Sequence, residues 1–193
     1  ISIQVPSKTY YILLCIQAQT NYSYLFLSIF AIIFLFSFKA GIPMIDSHGR
    51  KIDYMRISIT DRCNLRCQYC MPADLTSIGH TEILRFEEIL EICRHAVSLG
   101  ITKFKVTGGE PLVRKGCLSF LRSLKNMPGV EQVTITTNGV LLKSCLSQLE
   151  DIGIDGINIS LDTLNPEIYE KMTRRNEFSQ VWDAIVATQN SKI

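Results

Sequence analysis

The 193-residue chain is 47% hydrophobic and sets 20 Lys and Arg against 18 Asp and Glu, for a formal charge of +2. Residues 1–43 hold Lys8 and Lys39 and no acid, so the body beyond Pro43 is neutral, which excludes the basic stripe of a nucleic-acid-binding protein. Of seven cysteines, three are clustered and four stand alone in apolar or helical surroundings; that excludes a disulfide-stapled secreted scaffold and fits a reducing cytosol.

No charged residue occurs from Thr9 to Phe38, and Tyr24–Phe36 is almost continuously apolar. Length and hydropathy make residues 9–38 a membrane-helix candidate. With no A-x-A-like cleavage site and only Lys8 ahead of it, the stretch is a poor signal peptide. The alternative is that residues 1–43 are foreign to the protein. Composition switches to that of a soluble chain at Met44, which is the expected natural start; a membrane location is expected only if residues 9–38 are genuinely translated.

From Met44 onward, short β-branched or apolar runs alternate with glycine-rich or polar turns and with helices of three-and-four apolar spacing. The strands are expected at Tyr54–Thr60, Lys103–Thr107, Gln132–Thr136 and Gly156–Ser160. Helices are expected near Phe86–Leu99, Leu118–Lys125, Leu142–Ile152, Pro166–Met172 and Phe178–Gln189. This alternation is the pattern of βα units on a parallel sheet. Four strands cannot close a barrel. The expectation is therefore an α/β fold, an open half of a (β/α) TIM-like barrel, with residues 44–193 as the amino-terminal part of a larger domain.

In such sheets the working residues gather at the carboxyl ends of the strands. Four segments fall there: Cys63–Cys70, Gly108-Gly109-Glu110-Pro111, Thr137-Asn138-Gly139 and Ser160-Leu161-Asp162. Cys63, Cys67 and Cys70 have three and then two residues between them. A structural zinc site needs four ligands, and neither His48 nor His80 has a zinc-finger spacing to this loop. Three thiolates can instead hold a [4Fe-4S] cluster, leaving one iron open to a small molecule. Cys93 lies at helical spacing from Ile89, Leu90, Ala96 and Val97 and is expected in the core.

The cysteine spacing, with Tyr69 before the last cysteine, resembles that of the radical S-adenosylmethionine (SAM) superfamily, and Gly108-Gly109-Glu110-Pro111 resembles its glycine-rich SAM-binding turn. Gly49-Arg50, Tyr54–Cys63, Thr107–Arg114, Thr136–Gly139 and Asn158–Asp162 are further similar to the GTP 3′,8-cyclases of molybdenum-cofactor biosynthesis. The resemblance runs from about Met44 to the end. It implies cluster ligands Cys63, Cys67 and Cys70, SAM contacts at Tyr69, Gly108, Gly109, Glu110 and Ser160, and GTP contacts at Arg56, Lys103, Lys105 and Thr136. Glu110 would serve as the anionic acceptor for the SAM ammonium, and the glycines would let backbone carbonyls approach the ligand.

The same resemblance implies a 5′-deoxyadenosyl radical that takes the ribose 3′ hydrogen of GTP, after which the carbon radical adds to C8 of guanine. It also implies a flavodoxin or ferredoxin as reductant, a cytoplasmic location and a homodimer for the full-length protein. Three departures stand out. Lys105 replaces a common Arg and so loses a bidentate fork; Gly116 replaces an acid and so removes a helix N-cap; and the family's second, carboxyl-terminal [4Fe-4S] cluster has no counterpart, because Cys117 and Cys145 are too far apart to be ligands of one.

Overall fold

The computed structural model describes residues 2–4, 12–13, 44–70 and 83–193. Its described strands form one sheet of β1 (Ser2–Gln4), β2 (Ile12–Leu13), β3 (Tyr54–Ser58), β4 (Lys103–Thr107), β5 (Gln132–Thr137) and β6 (Gly156–Ile159), in the spatial order β2-β1-β3-β4-β5-β6. From β3 to β6 every neighbour pair is parallel, with Arg56 opposite Lys105, Val106 opposite Ile135 and Thr136 opposite Asn158. The helices between them are α1 (Phe86–Ser98), α2 (Cys117–Lys125), α3 (Leu142–Ile152), α4 (Pro166–Thr173) and α5 (Phe178–Gln189). The expected four-unit α/β half-barrel is therefore present, each boundary lying within two residues of the sequence reading.

β1 and β2 were not expected as strands. β1 runs antiparallel to β3, with Ile3 opposite Ile57 and Gln4 opposite Arg56. The membrane-helix candidate, residues 9–38, lies outside the described residues except for Ile12–Leu13, which belong to β2. Among the described residues no helix is long and apolar enough to cross a membrane.

Period-two alternation gives the sheet two unlike faces. Phe104, Val106, Val133 and Ile135 point to the helix side, where they are at most 1% exposed and pack with Ile89, Cys93, Phe120, Leu121, Leu124, Leu142 and Leu149. Each such side chain contributes about 1.5–3 kcal/mol through burial. Tyr54, Arg56, Ser58, Lys103, Lys105, Thr107, Thr134, Thr136 and Asn158 point to the other face. A polar inner face on an apolar-backed sheet is a surface made for a ligand, not for a core.

Two local devices fix the loops. The α1 amino terminus is closed by Glu88, whose carboxylate accepts from the Arg85 amide at 2.7 Å, and Asn165 caps α4 by accepting from Glu167 and Ile168 at 2.9 and 3.1 Å. Arg114 donates to the Ile59 and Leu84 carbonyls and lies 4.0 Å over the Phe86 ring, which stacks on Phe120. One side chain thereby clamps the end of β3, the approach to α1 and the start of α2. Gly116, the N-cap of α2, has φ of +88°, a left-handed conformation that suits glycine, and no side chain caps the helix in place of the missing acid.

Candidate active site

At the carboxyl ends of the strands the loops are laced by their backbones. Ile59 donates to Thr107 at 2.9 Å, Gly109 to Thr60 at 2.6 Å, Glu110 to Arg62 at 2.7 Å and Ser160 to Thr137 at 2.9 Å. The four rim segments expected from the sequence are thus brought together, and this lacing decides what the glycines do. A Cβ on Gly108 would lie 2.7 Å from the Thr60 carbonyl oxygen, and one on Gly109 would collide with the Arg62 carbonyl. The space that a side chain would need is filled by the strand-to-cysteine-loop backbone, not held open for a ligand. Among the described residues no backbone amide donates to the Gly108 or Gly109 carbonyl.

Glu110 is 1% exposed, and its carboxylate accepts from Leu112 N at 3.1 Å, Thr137 Oγ1 at 2.8 Å and Asn138 N at 2.6 Å. Through these protein donors it latches the glycine turn to the β5 loop. Burial holds its pKa above the usual carboxylate range, against the lowering effect of the three donors. Glu110→Gln is expected to cost about 1–3 kcal/mol, because an amide NH2 would face the Asn138 N–H. With the folded pKa raised, the wild type gains stability from Glu110 as pH falls into the window just above ordinary carboxylate values and loses it as pH rises through the folded pKa. The difference between wild-type and Gln urea melts, measured across that window, should show this gain disappear in the variant.

The cysteine loop is braced from several sides. Cys63 Sγ accepts from the Leu65 amide at 3.4 Å and lies 3.6 Å from Asn138 Nδ2, which also donates to Asn64 Oδ1 at 2.7 Å. Arg66 and Gln68 amides donate to the Thr173 and Met172 carbonyls at 3.0 and 2.9 Å, and Gln68 Nε2 to Lys171 O at 2.8 Å, so the loop takes up the last carbonyls of α4. The Tyr69 hydroxyl donates to Asp162, which holds the phenol proton and pushes its pKa up.

Cys63, Cys67 and Cys70 are all free thiols. Burial pushes the Cys63 and Cys67 thiols up, and in each the neighbouring cysteines of the loop act in the same direction. Three thiols within electrostatic reach of one another make a soft donor set. Among the described residues no three His, Cys, Asp or Glu side chains are placed to hold a single metal ion. Free thiols of one loop are the ligand type that an iron-sulfur cluster takes, so the chemistry of this donor set fits a cluster.

The inner face places Arg56 and Lys105 side by side on β3 and β4, with Thr134 opposite Lys105 on β5 and Thr136 two residues further along the same face. Tyr54, two residues before Arg56 on the same face, sits against its guanidinium. The Thr136 hydroxyl is buried without a partner among the described residues. Lys103 does not join this group: it starts β4 at the amino end of the sheet, and its Nζ lies 3.0 Å from Asp53 Oδ2. It stands there paired with Asp53, apart from Arg56 and Lys105. Ser160 is exposed on the rim beyond β6. Cys93 is buried as expected, at 0% exposure, and Cys117 is buried as well, at 3%.

Three participants were missed from sequence. Arg114 reads locally as a surface cation, Asn138 as a turn residue and Tyr169 as one apolar position of a short helix. Only their distant partners, Ile59, Cys63 and the cysteine loop, give them away.

Comparison with known proteins bears on this arrangement. The GTP 3′,8-cyclase of Petrotoga mobilis is 52% identical over 145 residues, which is 75% of this chain and 45% of that protein. The GTP 3′,8-cyclase of Heliobacterium modesticaldum is 51% identical over 145 residues, 75% of this chain and 44% of the other. The chain thus spans less than half the length of these curated relatives. Among solved structures, Streptococcus suis SuiB bound to precursor peptide SuiA shares the fold, with a TM-score of 0.51 at 22% identity over 82% of this chain and 34% of that one. The family model described as the radical SAM superfamily matches residues 57–193, from within β3 through the last residue, and the chain belongs to that superfamily.

Proposed function

We propose that the chain carries the cofactor-binding half of a GTP 3′,8-cyclase, the lyase that opens molybdenum-cofactor biosynthesis by converting GTP to (8S)-3′,8-cyclo-7,8-dihydroguanosine 5′-triphosphate. Radical SAM proteins use a [4Fe-4S] cluster and SAM, which together supply a carbon-centred radical for hydrogen abstraction. In this chain Cys63, Cys67 and Cys70 hold the cluster. The Gly108 and Gly109 carbonyls receive the SAM ammonium, with Tyr69 and Ser160 on either side of it. Glu110 positions that turn from within the protein. The single observation that carries the GTP reading is the pair of cations on the inner face, Arg56 opposite Lys105, with the unpartnered Thr136 hydroxyl on the next strand. A triphosphate needs several fixed positive donors, and neighbouring strands about 4.8 Å apart supply them at the right spacing.

A reducing cytoplasm suits the free thiols. A flavodoxin or ferredoxin as electron donor, and a homodimer for the longer protein, belong to the same proposal. So does a second cluster in the part of the relatives that this chain does not match.

Adding SAM to the reduced, reconstituted chain is expected to change the electron paramagnetic resonance spectrum of its cluster; an unaltered spectrum would sink the SAM site. GTP is expected to bind by equilibrium dialysis and guanosine is not. Lys105→Ala should weaken GTP binding by about tenfold, the value of one charge-assisted contact, without touching the SAM response. Equal affinity for guanosine, or no loss in the variant, would refute the substrate assignment.

A further inference from the structure

Tyr169 is 3% exposed, and its hydroxyl has no hydrogen-bond partner among the described residues. A buried hydroxyl left unpaired is costly, and such groups in folded proteins commonly await a ligand or ion. The ring is not free to turn away in search of one. It packs edge-on against Phe178 with ring centres 5.7 Å apart, and its backbone carbonyl is fixed by Thr173 Oγ1 at 2.8 Å.

What lies against this hydroxyl follows from the helix that carries it. Tyr169 and Thr173 are four residues apart on α4 and share one face. That face meets the cysteine loop, because the Thr173 and Met172 carbonyls receive the Arg66 and Gln68 amides. The nearby groups agree: Cys67, Glu177, Cys63 and the Thr173 side chain are all close enough to act on the phenol. A phenol keeps its proton at neutral pH and is a donor. What it lacks among the described residues is an acceptor.

We propose that Tyr169 is a positioning residue for the cluster, its hydroxyl donating a hydrogen bond to sulfur at the Cys67 corner, as Asn138 Nδ2 does from 3.6 Å at Cys63. The inference rests on Cys63, Cys67 and Cys70 being the ligands. Thiolate and sulfide sulfurs become more negative when the cluster gains an electron, so a donor aimed at them favours the reduced state and raises the reduction potential. Together with Asn138, the chain would then set how readily the electron that cleaves SAM is accepted from the donor protein.

Tyr169→Phe tests this in the chain as it stands, because it deletes the hydroxyl and keeps the ring on Phe178. After anaerobic reconstitution both proteins should hold about four irons. The variant cluster should be harder to reduce, its reduced-to-oxidised ratio at a fixed poise falling about threefold in a titration followed by electron paramagnetic resonance. One deuterium-exchangeable proton coupling should vanish from its electron-nuclear double resonance spectrum. The metal-free variant should melt no lower than the metal-free wild type, since its lost hydroxyl had no partner there; a merely structural role would lower that melting point instead. Tyr169→Leu serves as second variant and should shift the potential in the same direction.

Equal potentials and couplings in cluster-bearing wild type and Tyr169→Phe would overturn the inference alone. Loss of the cluster from both variants would make Tyr169 a structural prop and overturn it too. A wild-type chain that takes up no iron would overturn the ligand assignment and the inference with it.

Discussion

Replacing Cys67 with Ala is expected to leave the reconstituted chain without its iron, whereas replacing Cys93 with Ala should leave the iron content at about four per chain. The two thiols differ in what surrounds them. Cys67 lies in a rim loop whose amides on either side, those of Arg66 and Gln68, are pinned to α4, so its sulfur is presented and cannot be exchanged for another. Without it two ligands of the proposed three remain. Cys93 is 0% exposed in the middle of α1, and burial alone pushes its thiol up to about 12. It behaves as a small apolar side chain, and its truncation should cost about 1–2 kcal/mol of packing. Iron and sulfide assays with thermal melts on both variants separate the roles; equal iron in the two would refute the ligand assignment.

Gly109→Ala is expected to have the largest effect on stability of any single methyl added to the rim. Its cause is not backbone conformation, since Gly109 has no positive φ. The new Cβ would collide with the Arg62 carbonyl, and backbone cannot move aside as a long side chain can. The turn must retreat, giving up Gly109 N to Thr60 O at 2.6 Å and Glu110 N to Arg62 O at 2.7 Å. Overpacking of about 1–3 kcal/mol and two hydrogen bonds of about 1 kcal/mol each sum to about 3–5 kcal/mol, a large part of the stability of an ordinary domain. The cysteine loop hangs from the same segment, so cluster retention should fall as well. Chemical denaturation and iron retention measure the two losses; a variant as stable as wild type would show that the glycine is there for the ligand after all.

Much of this architecture is legible in the sequence because strand and helix periods are unambiguous where one face is buried. Lys103–Thr107, Leu142–Ile152 and Phe178–Gln189 have the same bounds in the structure as in the sequence reading. Cys63, Cys67 and Cys70 are legible for a different reason, since the spacing alone carries the chemistry. What the sequence conceals is which polar group has already found a partner. Glu110 looks like a free acid until Thr137 and Asn138, nearly thirty positions away, close around it. Lys103 looks like a twin of Lys105 until Asp53 neutralises it. Tyr169 carries no signal at all, because its importance lies in a bond it does not make within the protein. The short strands β1 and β2 escaped for further reasons: three residues are too few to show a period, and Ile12–Leu13 sit in an apolar stretch whose length argues for a helix.

The brace between the cysteine loop and α4 has a consequence for how the protein is made. Gln68 and the carbonyl of Lys171 that its side chain holds are 103 residues apart in the chain. A ribosome adding about 5–20 residues per second needs roughly 5–20 s to travel that distance. During that interval the three thiols have left the ribosome without the helix that orders them, open to oxidation and to stray metal. Iron delivery to this protein is therefore best timed after the fourth βα unit has docked, and anything that slows synthesis between residues 70 and 173 lengthens the period in which the loop is unguarded.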